Sequence, residues 1–386
     1  MGGTLPTTYV RVDLSALRHN FEEVAGFLAG RARLMAVVKA NAYGHGLVDV
    51  GRFFAGLGCA ALGVASVAEG LELRQGGVAT PITVFQPALG EELAAAAENR
   101  LTVTLTQEEH IDALAQRMAH VDYEIGVDVG LGRSGCWGDP AEFLRQAERR
   151  LGWPASGVWT HLGPGMVPAR LPERPPDTWA AARTVGARLR YLEELREGLA
   201  GSGAMPLFHV TASNALCDTD GLLWDQVRVG TLLYGVHPIH VTQRPFRLHP
   251  ALELRTHIVE LRLVPRGTSV GYGGEFRTSC PARLATLPVG LSHGISLLPE
   301  STLSLPAAAK RSLALALGRL GGTFRPNLAR VGGALAPLVG RPSLNECTVD
   351  VTDIPSVNIG DEVVVPARMT TLNPTIPRVY DDGSKG

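Results

Sequence analysis

The stretch LMAVVKANAYGHG, Leu34 to Gly46, sets a lysine at the end of an apolar run and follows it at once with small residues, Tyr43 and His45. Lysines belong in water, so Lys39 at the end of so apolar a strand needs a reason. A surface lysine that snorkels its amine into solvent is one answer. The other is chemical: at the carboxyl end of a strand in a parallel barrel it lies on the rim where active sites are built. There a desolvated amine loses basicity and becomes a nucleophile able to form a Schiff base with an aldehyde. The small residues that follow let a flat ligand approach, and Tyr43 offers a hydroxyl.

Outward from this stretch, one arrangement recurs from Tyr9 to about Gly235. Short β-branched runs (ARLMAVVKA, AALGVAS, ITVFQ, LTVTLT, DYEIGVDVG, GVWTHL, LFHVTAS, QVRVGTLLYG) alternate with helical patterns such as VAEGLELRQ, EEHIDALAQRMA, PAEFLRQAERR and TWAAARTVGARLRYLEELREGLA. Alternation of this kind implies parallel pairing, because each return to the same sheet edge needs a crossover. The α/β reading is therefore a closed (β/α)8 TIM-type barrel, with an open doubly wound sheet as the alternative. No GxGxxG opens a helix after the first strand, which disfavours the dinucleotide-binding version of that alternative.

After Gly235 the texture changes to β-rich runs separated by Gly and Pro turns, such as LELRTHIVELRLV, ARLATLPVG, CTVDVTDI and DEVVVPA. These predict a smaller, mostly antiparallel β domain. The expected division is residues 1–240 for the barrel and 241–386 for the β domain. Within the latter, Ser301 to Gly340 carries five Lys or Arg and no acid, and reads as a solvated basic insertion between strands.

Composition narrows the partners. At 386 residues the chain is long enough for two cores, and 45% hydrophobic with 19% charged residues excludes a largely disordered protein. A net charge of −1 provides no field for nucleic acid or an anionic membrane, so a small-molecule partner is expected. Five cysteines are scattered without CxxC spacing, which argues against a disulfide framework or a zinc site, and no metal site is expected. No run reaches the roughly 20 apolar residues of a bilayer span, and MGGTLPTTYVRVDL has no secretory pattern. A cytoplasmic protein is expected.

The run AVVKANAYGHG resembles the pyridoxal-phosphate lysine motif of the alanine racemase family, and the similarity continues in order from YVRVDLSALRHNF to IPRVY. The resemblance implies a fold type III enzyme dependent on pyridoxal 5′-phosphate: a cofactor-binding barrel, a C-terminal β domain, and a homodimer whose active sites lie at the subunit interface. By resemblance Lys39 is the Schiff-base lysine and one of two bases, and Tyr43 stands near the cofactor phosphate. VDVGLGRSG resembles the family loop that places Arg133 on the substrate carboxylate and cofactor hydroxyl. GVWTHL sets His161 beneath the ring. HVTASNAL is similar to a phosphate-binding stretch, with Ser213 as the hydroxyl and Ala212 in place of the usual asparagine. VRVGTLLYG implies Arg228 beside the pyridine nitrogen, with Gly230 and Thr231 as phosphate donors. SVGYGGEF implies Tyr272 as the second base, delivered from the partner subunit to the opposite face, the two-sided arrangement that inversion requires.

The departures concern the substrate. Leu291 stands where the family has a tyrosine at the entrance, and His293 where it has an acid. Leu344 and Asn345 replace a Met-Asp pair, and Gly126 occupies the position that commonly carries a carbamylated lysine. These positions imply an amino-acid racemase that accepts alanine or a related, larger amino acid. An aldolase, transaldolase or decarboxylase using the same cofactor, and a non-catalytic pyridoxal-phosphate-binding protein, are the alternatives.

Overall fold

The computed structural model describes residues 6–117, 120–163, 165–168, 170–200, 205–218, 222–238, 241, 243–274, 276–295 and 328–383. The chain forms two compact units: Ser15–Ala251, and the segment up to Leu14 together with Leu252–Gly386. The first strand, β1 (Thr8–Asp13), belongs to the second of these. It pairs antiparallel with β10 (Leu252–His257) and parallel with β19 (Arg378–Asp381). Sequence division at residue 240 assigns this strand to the barrel, and the structure moves it. The physical reason is its alternation: Val10 and Val12 are fully buried while Arg11 points the other way and pairs with Asp381. Such a half-buried strand suits an antiparallel sheet with one wet face.

The unit Ser15–Ala251 is a parallel barrel. Its strands are β2 (Arg33–Val37), β3 (Ala61–Val64), β4 (Ile82–Val84), β5 (Val103–Leu105), β6 (Tyr123–Val127), β7 (Gly157–Thr160), β8 (Leu207–His209) and β9 (Gln226–Val229). Hydrogen bonding runs β4-β3-β2-β9 on one side and β5-β6-β7-β8 on the other. Parallel bridges at Thr83–Thr102 and Ala212–Arg228 join the two sets, so the eight strands close on themselves. Helices follow the strands, with Leu47–Gly56 after β2, Val67–Gln75 after β3 and Pro140–Leu151 after β6. Where the sequence suggests one long helix from Thr178, the structure has a short turn at Trp179–Ala181 and a helix only from Val185. Thr184 causes the interruption, since its hydroxyl accepts from the Ala187 amide at 3.2 Å and caps a new helix start.

The other unit is built on the sheet order β11-β14-β17-β16-β15-β18-β10-β1-β19, with β11 (Glu260–Val264), β14 (Ala282–Leu287), β15 (Leu328–Val331), β16 (Ala334–Val339), β17 (Cys347–Asp350) and β18 (Glu362–Val365). A separate ribbon pairs β12 (Ser269–Val270) with β13 (Phe276–Arg277). Of the predicted basic insertion, residues 301–327 lie outside the described residues. Its remainder is not an insertion, because β15 and β16 form a hairpin inside the sheet. The turn explains why: Gly332 and Gly333 both have positive φ, 54° and 83°, as a two-residue hairpin loop requires.

Candidate active site

Lys39 follows β2 directly, and the chain then does something uncommon. Ala40, Asn41, Ala42 and Tyr43 have φ of 55°, 55°, 51° and 53°, a left-handed turn without a glycine. Each such residue costs about 1–2 kcal/mol relative to right-handed backbone. Local hydrogen bonds hold the turn in place. Glu69 accepts from the Ala40 amide at 2.6 Å and from the Ala65 amide at 2.8 Å, and Asn41 Oδ1 accepts from the Leu47 amide at 2.9 Å. Burial lowers the basicity of the Lys39 amine, the positive charges of Arg133 and Arg228 lower it further, and Glu69 opposes them.

Lys39, Tyr43, Arg133, His161, Ser213, Arg228, Gly230 and Thr231 surround one cavity of about 290 Å³, with Phe85 and Trp159 supplying apolar walls. Residues far apart in sequence therefore meet at the ends of β2, β7, β8 and β9. At one end of the cavity the Gly230 amide donates to Ser213 Oγ at 2.9 Å, which leaves the Ser213 proton available to a ligand. A Cβ at Gly230 would lie 2.5 Å from Tyr43 Oη, so only glycine lets the tyrosine lie against the backbone here. The Tyr43 ring is held by Tyr234 at 4.9 Å, and burial pushes its hydroxyl up to about 12. Thr231 Oγ1 is buried without a hydrogen-bond partner among the described residues. Gly230→Ala is expected to destabilise the fold by about 1–3 kcal/mol through overpacking, measured by chemical denaturation.

Arg228 enters from β9 and is 4% exposed. Its guanidinium donates to the carbonyls of Thr160, His209 and Val210 and to His209 Nδ1 at 3.0 Å, and lies 5.3 Å from the Trp159 ring centroid. Burial brings it down to about 10, so it stays charged. His161, at the end of β7, is brought down to about 3 by burial and then by Arg228, Arg133 and Lys39. It is a neutral imidazole at ordinary pH.

Arg133 is presented by a loop that Asp128 organises. The Asp128 carboxylate accepts from the amides of Gly130, Leu131 and Gly132 at 2.7, 2.8 and 2.8 Å. The Arg133 side chain is exposed at the cavity edge. At Gly126 a Cβ would meet Thr106, Thr104 and Trp159 at 3.1, 3.2 and 3.4 Å. Those side chains take up the space around this position.

Tyr272, Leu291, Leu344 and Asn345 gather in the other unit, around a cavity of about 690 Å³ that Arg341 also lines. Tyr272 sits in the turn between β12 and β13 and is 68% exposed. Ser292 Oγ joins two of them, its one proton shared between the Leu344 carbonyl at 2.7 Å and Asn345 Oδ1 at 2.8 Å. Four further side chains about the Arg228 end escaped sequence reasoning: Phe85, Glu124, Trp159 and His209. Only Glu124 carried a signal, as an acid in the middle of the apolar run DYEIGVDVG.

A closed parallel barrel with a depressed lysine amine, two arginines and a hydroxyl cluster around one cavity defines a class, the parallel-barrel proteins with a small-molecule site at their strand ends. Residues 12–238 match the alanine racemase N-terminal domain and residues 251–380 the alanine racemase C-terminal domain, and the chain belongs to the alanine racemase family. It is an isomerase of the racemase type, as the motifs implied. The alanine racemase of Syntrophobacter fumaroxidans is 31% identical over 93% of this chain and 87% of that one. The alanine racemase of Clostridium difficile 630 superposes with a TM-score of 0.81 at 21% identity, over 99% of this chain and 97% of the other. The alanine racemase of Bartonella henselae with covalently bound pyridoxal phosphate gives 0.73 at 21% identity, over 98% of this chain and 100% of that one.

Proposed function

We propose that the protein inverts the α-carbon of a small or medium-sized amino acid, using pyridoxal 5′-phosphate held on Lys39 and working as a cytoplasmic homodimer. The observation that carries this is the depressed Lys39 amine on its left-handed turn, lining one cavity with the Ser213 hydroxyl, which accepts from the Gly230 amide, and the Gly230 cradle. These groups fit a phosphate and an aldehyde. The Bartonella henselae relative with its covalent cofactor supports the same reading. When bound, pyridoxal phosphate supplies an electron sink that acidifies the substrate α-carbon.

Each residue then has a task. Lys39 Nζ takes or returns the α-proton on one face, and burial, with Arg133 beside it, lowers its basicity below that of an ordinary lysine. Tyr272 Oη of a second copy serves the opposite face. Its exposure in the turn between β12 and β13 leaves it available to another subunit. Arg133 holds the substrate carboxylate, its charge unspent on any ion pair among the described residues. Arg228 stays protonated and would hold the cofactor's ring nitrogen without giving it a proton, which would keep the electron sink weak and limit side reactions. His161 packs as a neutral ring and leaves the site one positive charge lighter.

Leu291, Leu344 and Asn345 bear on substrate choice. A leucine at a mouth where relatives narrow the passage with tyrosine opens volume, and asparagine removes a charge while keeping amide hydrogen bonds. Discrimination by size is worth only ~1–3 kcal/mol per methylene, so side chains larger than a methyl are admitted. Five unpaired cysteines, four of them buried, support a reducing compartment. Incubation with a panel of L-amino acids in deuterated water is expected to yield D-enantiomers labelled at the α-carbon, including at least one larger than alanine. Absence of inversion with every member of the panel overturns the reading.

A further inference from the structure

Arg228 is a buried cation, and the charge that compensates it lies two side chains away. His209, on β8, is fully buried, and Glu124, on β6, is 4% exposed. An arginine does not give up a proton, so the contact of 3.0 Å between its Nη1 and His209 Nδ1 makes Nδ1 the acceptor. The imidazole proton then resides on Nε2, which lies 3.2 Å from Glu124 Oε2. The two atoms approach as a buried charge contact, and neither has a hydrogen-bond partner among the described residues. The intervening strand is shaped for this pairing. Glu124 registers with Gly157 on β7, and Gly157 registers with Leu207 on β8. A Cβ at Gly157 would lie 3.1 Å from Glu124 Cδ and 2.9 Å from the Leu207 carbonyl oxygen. The bare backbone there clears the way for a carboxylate to reach across the barrel interior.

We infer that Glu124 is a positioning residue: through the Nε2–H tautomer of His209 it supplies the buried counter-charge of Arg228 and so sets the positive potential Arg228 presents to the cavity. Asp128 is the other buried carboxylate in this unit among the described residues, and its oxygens are taken by three loop amides. Removing one partner of a buried charge pair leaves the other uncompensated, whereas removing both does not. The second half of the inference rests on the cofactor reading above; the first half does not, and the experiment separates them.

The first measurement is a thermal-unfolding cycle on the protein without cofactor, with Glu124→Gln, Arg228→Gln and the double variant. Gln keeps a hydrogen-bond acceptor for His209 and removes only charge. E124Q is expected to lower Tm by about 5 °C or more in the Arg228 background and to have little effect once Arg228 is Gln. Equal losses in both backgrounds overturn the inference. If E124Q fails to fold, recovery of folding in the double variant supports the pair, and failure of both overturns it.

The second measurement is the pH titration of the visible absorbance after loading with pyridoxal phosphate. Loss of the carboxylate leaves net positive charge beside the cavity, so the titration midpoint of E124Q is expected to fall by about one unit. An unmoved midpoint overturns the positioning role. A coupled unfolding cycle in a protein that forms no visible band supports the counter-charge and overturns the cofactor reading.

Discussion

Replacing Lys39 with alanine is expected to abolish inversion, with a rate loss of at least about 10⁴-fold, because in the proposed mechanism one change removes a proton-transfer base and the cofactor's covalent anchor together. General base catalysis alone accounts for about 10²–10⁴ of that. Two properties of the site make the outcome sharp. Lys39 is the only lysine among the described residues, so none of them supplies a second side-chain amine. Its basicity is lowered chiefly by burial and then by Arg133 and Arg228, so the unprotonated amine that acts as base appears at lower pH than for an ordinary lysine. Activity governed by this base should therefore rise with pH through a midpoint below 10.5. Borohydride reduction of the loaded protein, followed by peptide mass mapping, is expected to fix the cofactor on the Lys39 peptide of the unmodified protein and to leave K39A unlabelled.

Tyr272→Phe is expected to cost about 10²–10⁴ in inversion while leaving the fold and cofactor loading unchanged. At 68% exposure, loss of one hydroxyl from Tyr272 leaves no buried partner unsatisfied. The more informative readout is directional. If each base serves one face, the variant still exchanges the α-proton of one enantiomer with deuterated water and fails with the other. Proton NMR of L- and D-substrate incubated separately checks this. Equal loss of exchange for both enantiomers would mean that Tyr272 serves some purpose other than one-sided proton transfer.

How much of this was legible in the sequence depended on the kind of signal. The barrel strands read well because each is buried on both faces and shows as an unbroken apolar run, as in LMAVV or TVTLT. Lys39, Arg228 and Ser213 were legible because short runs of neighbours frame them. The left-handed turn after Lys39 was not, since alanine and asparagine at these positions carry no glycine signature. Membership of β1 in the β-sheet unit was hidden because its partners, β10 and β19, lie more than 200 residues downstream. The β15–β16 hairpin was masked by Pro337 and by the arginines that led the segment to be read as solvated, although Gly332-Gly333 marked its turn. Glu124 and His209 belong to separate strands, and only the pairing of both β6 and β8 with β7 brings them to 3.2 Å.

The claim on which the mechanism turns is that one active site draws Lys39 from one copy and Tyr272 from another. Co-refolding the two inactive variants, K39A and Y272F, tests it directly. In a mixed dimer one site inherits both substitutions and the other inherits neither, so random pairing should restore roughly a quarter of the unmodified activity. Restoration to that level, absent from either variant refolded alone, is the predicted result. A mixture as inactive as its components would contradict the shared site.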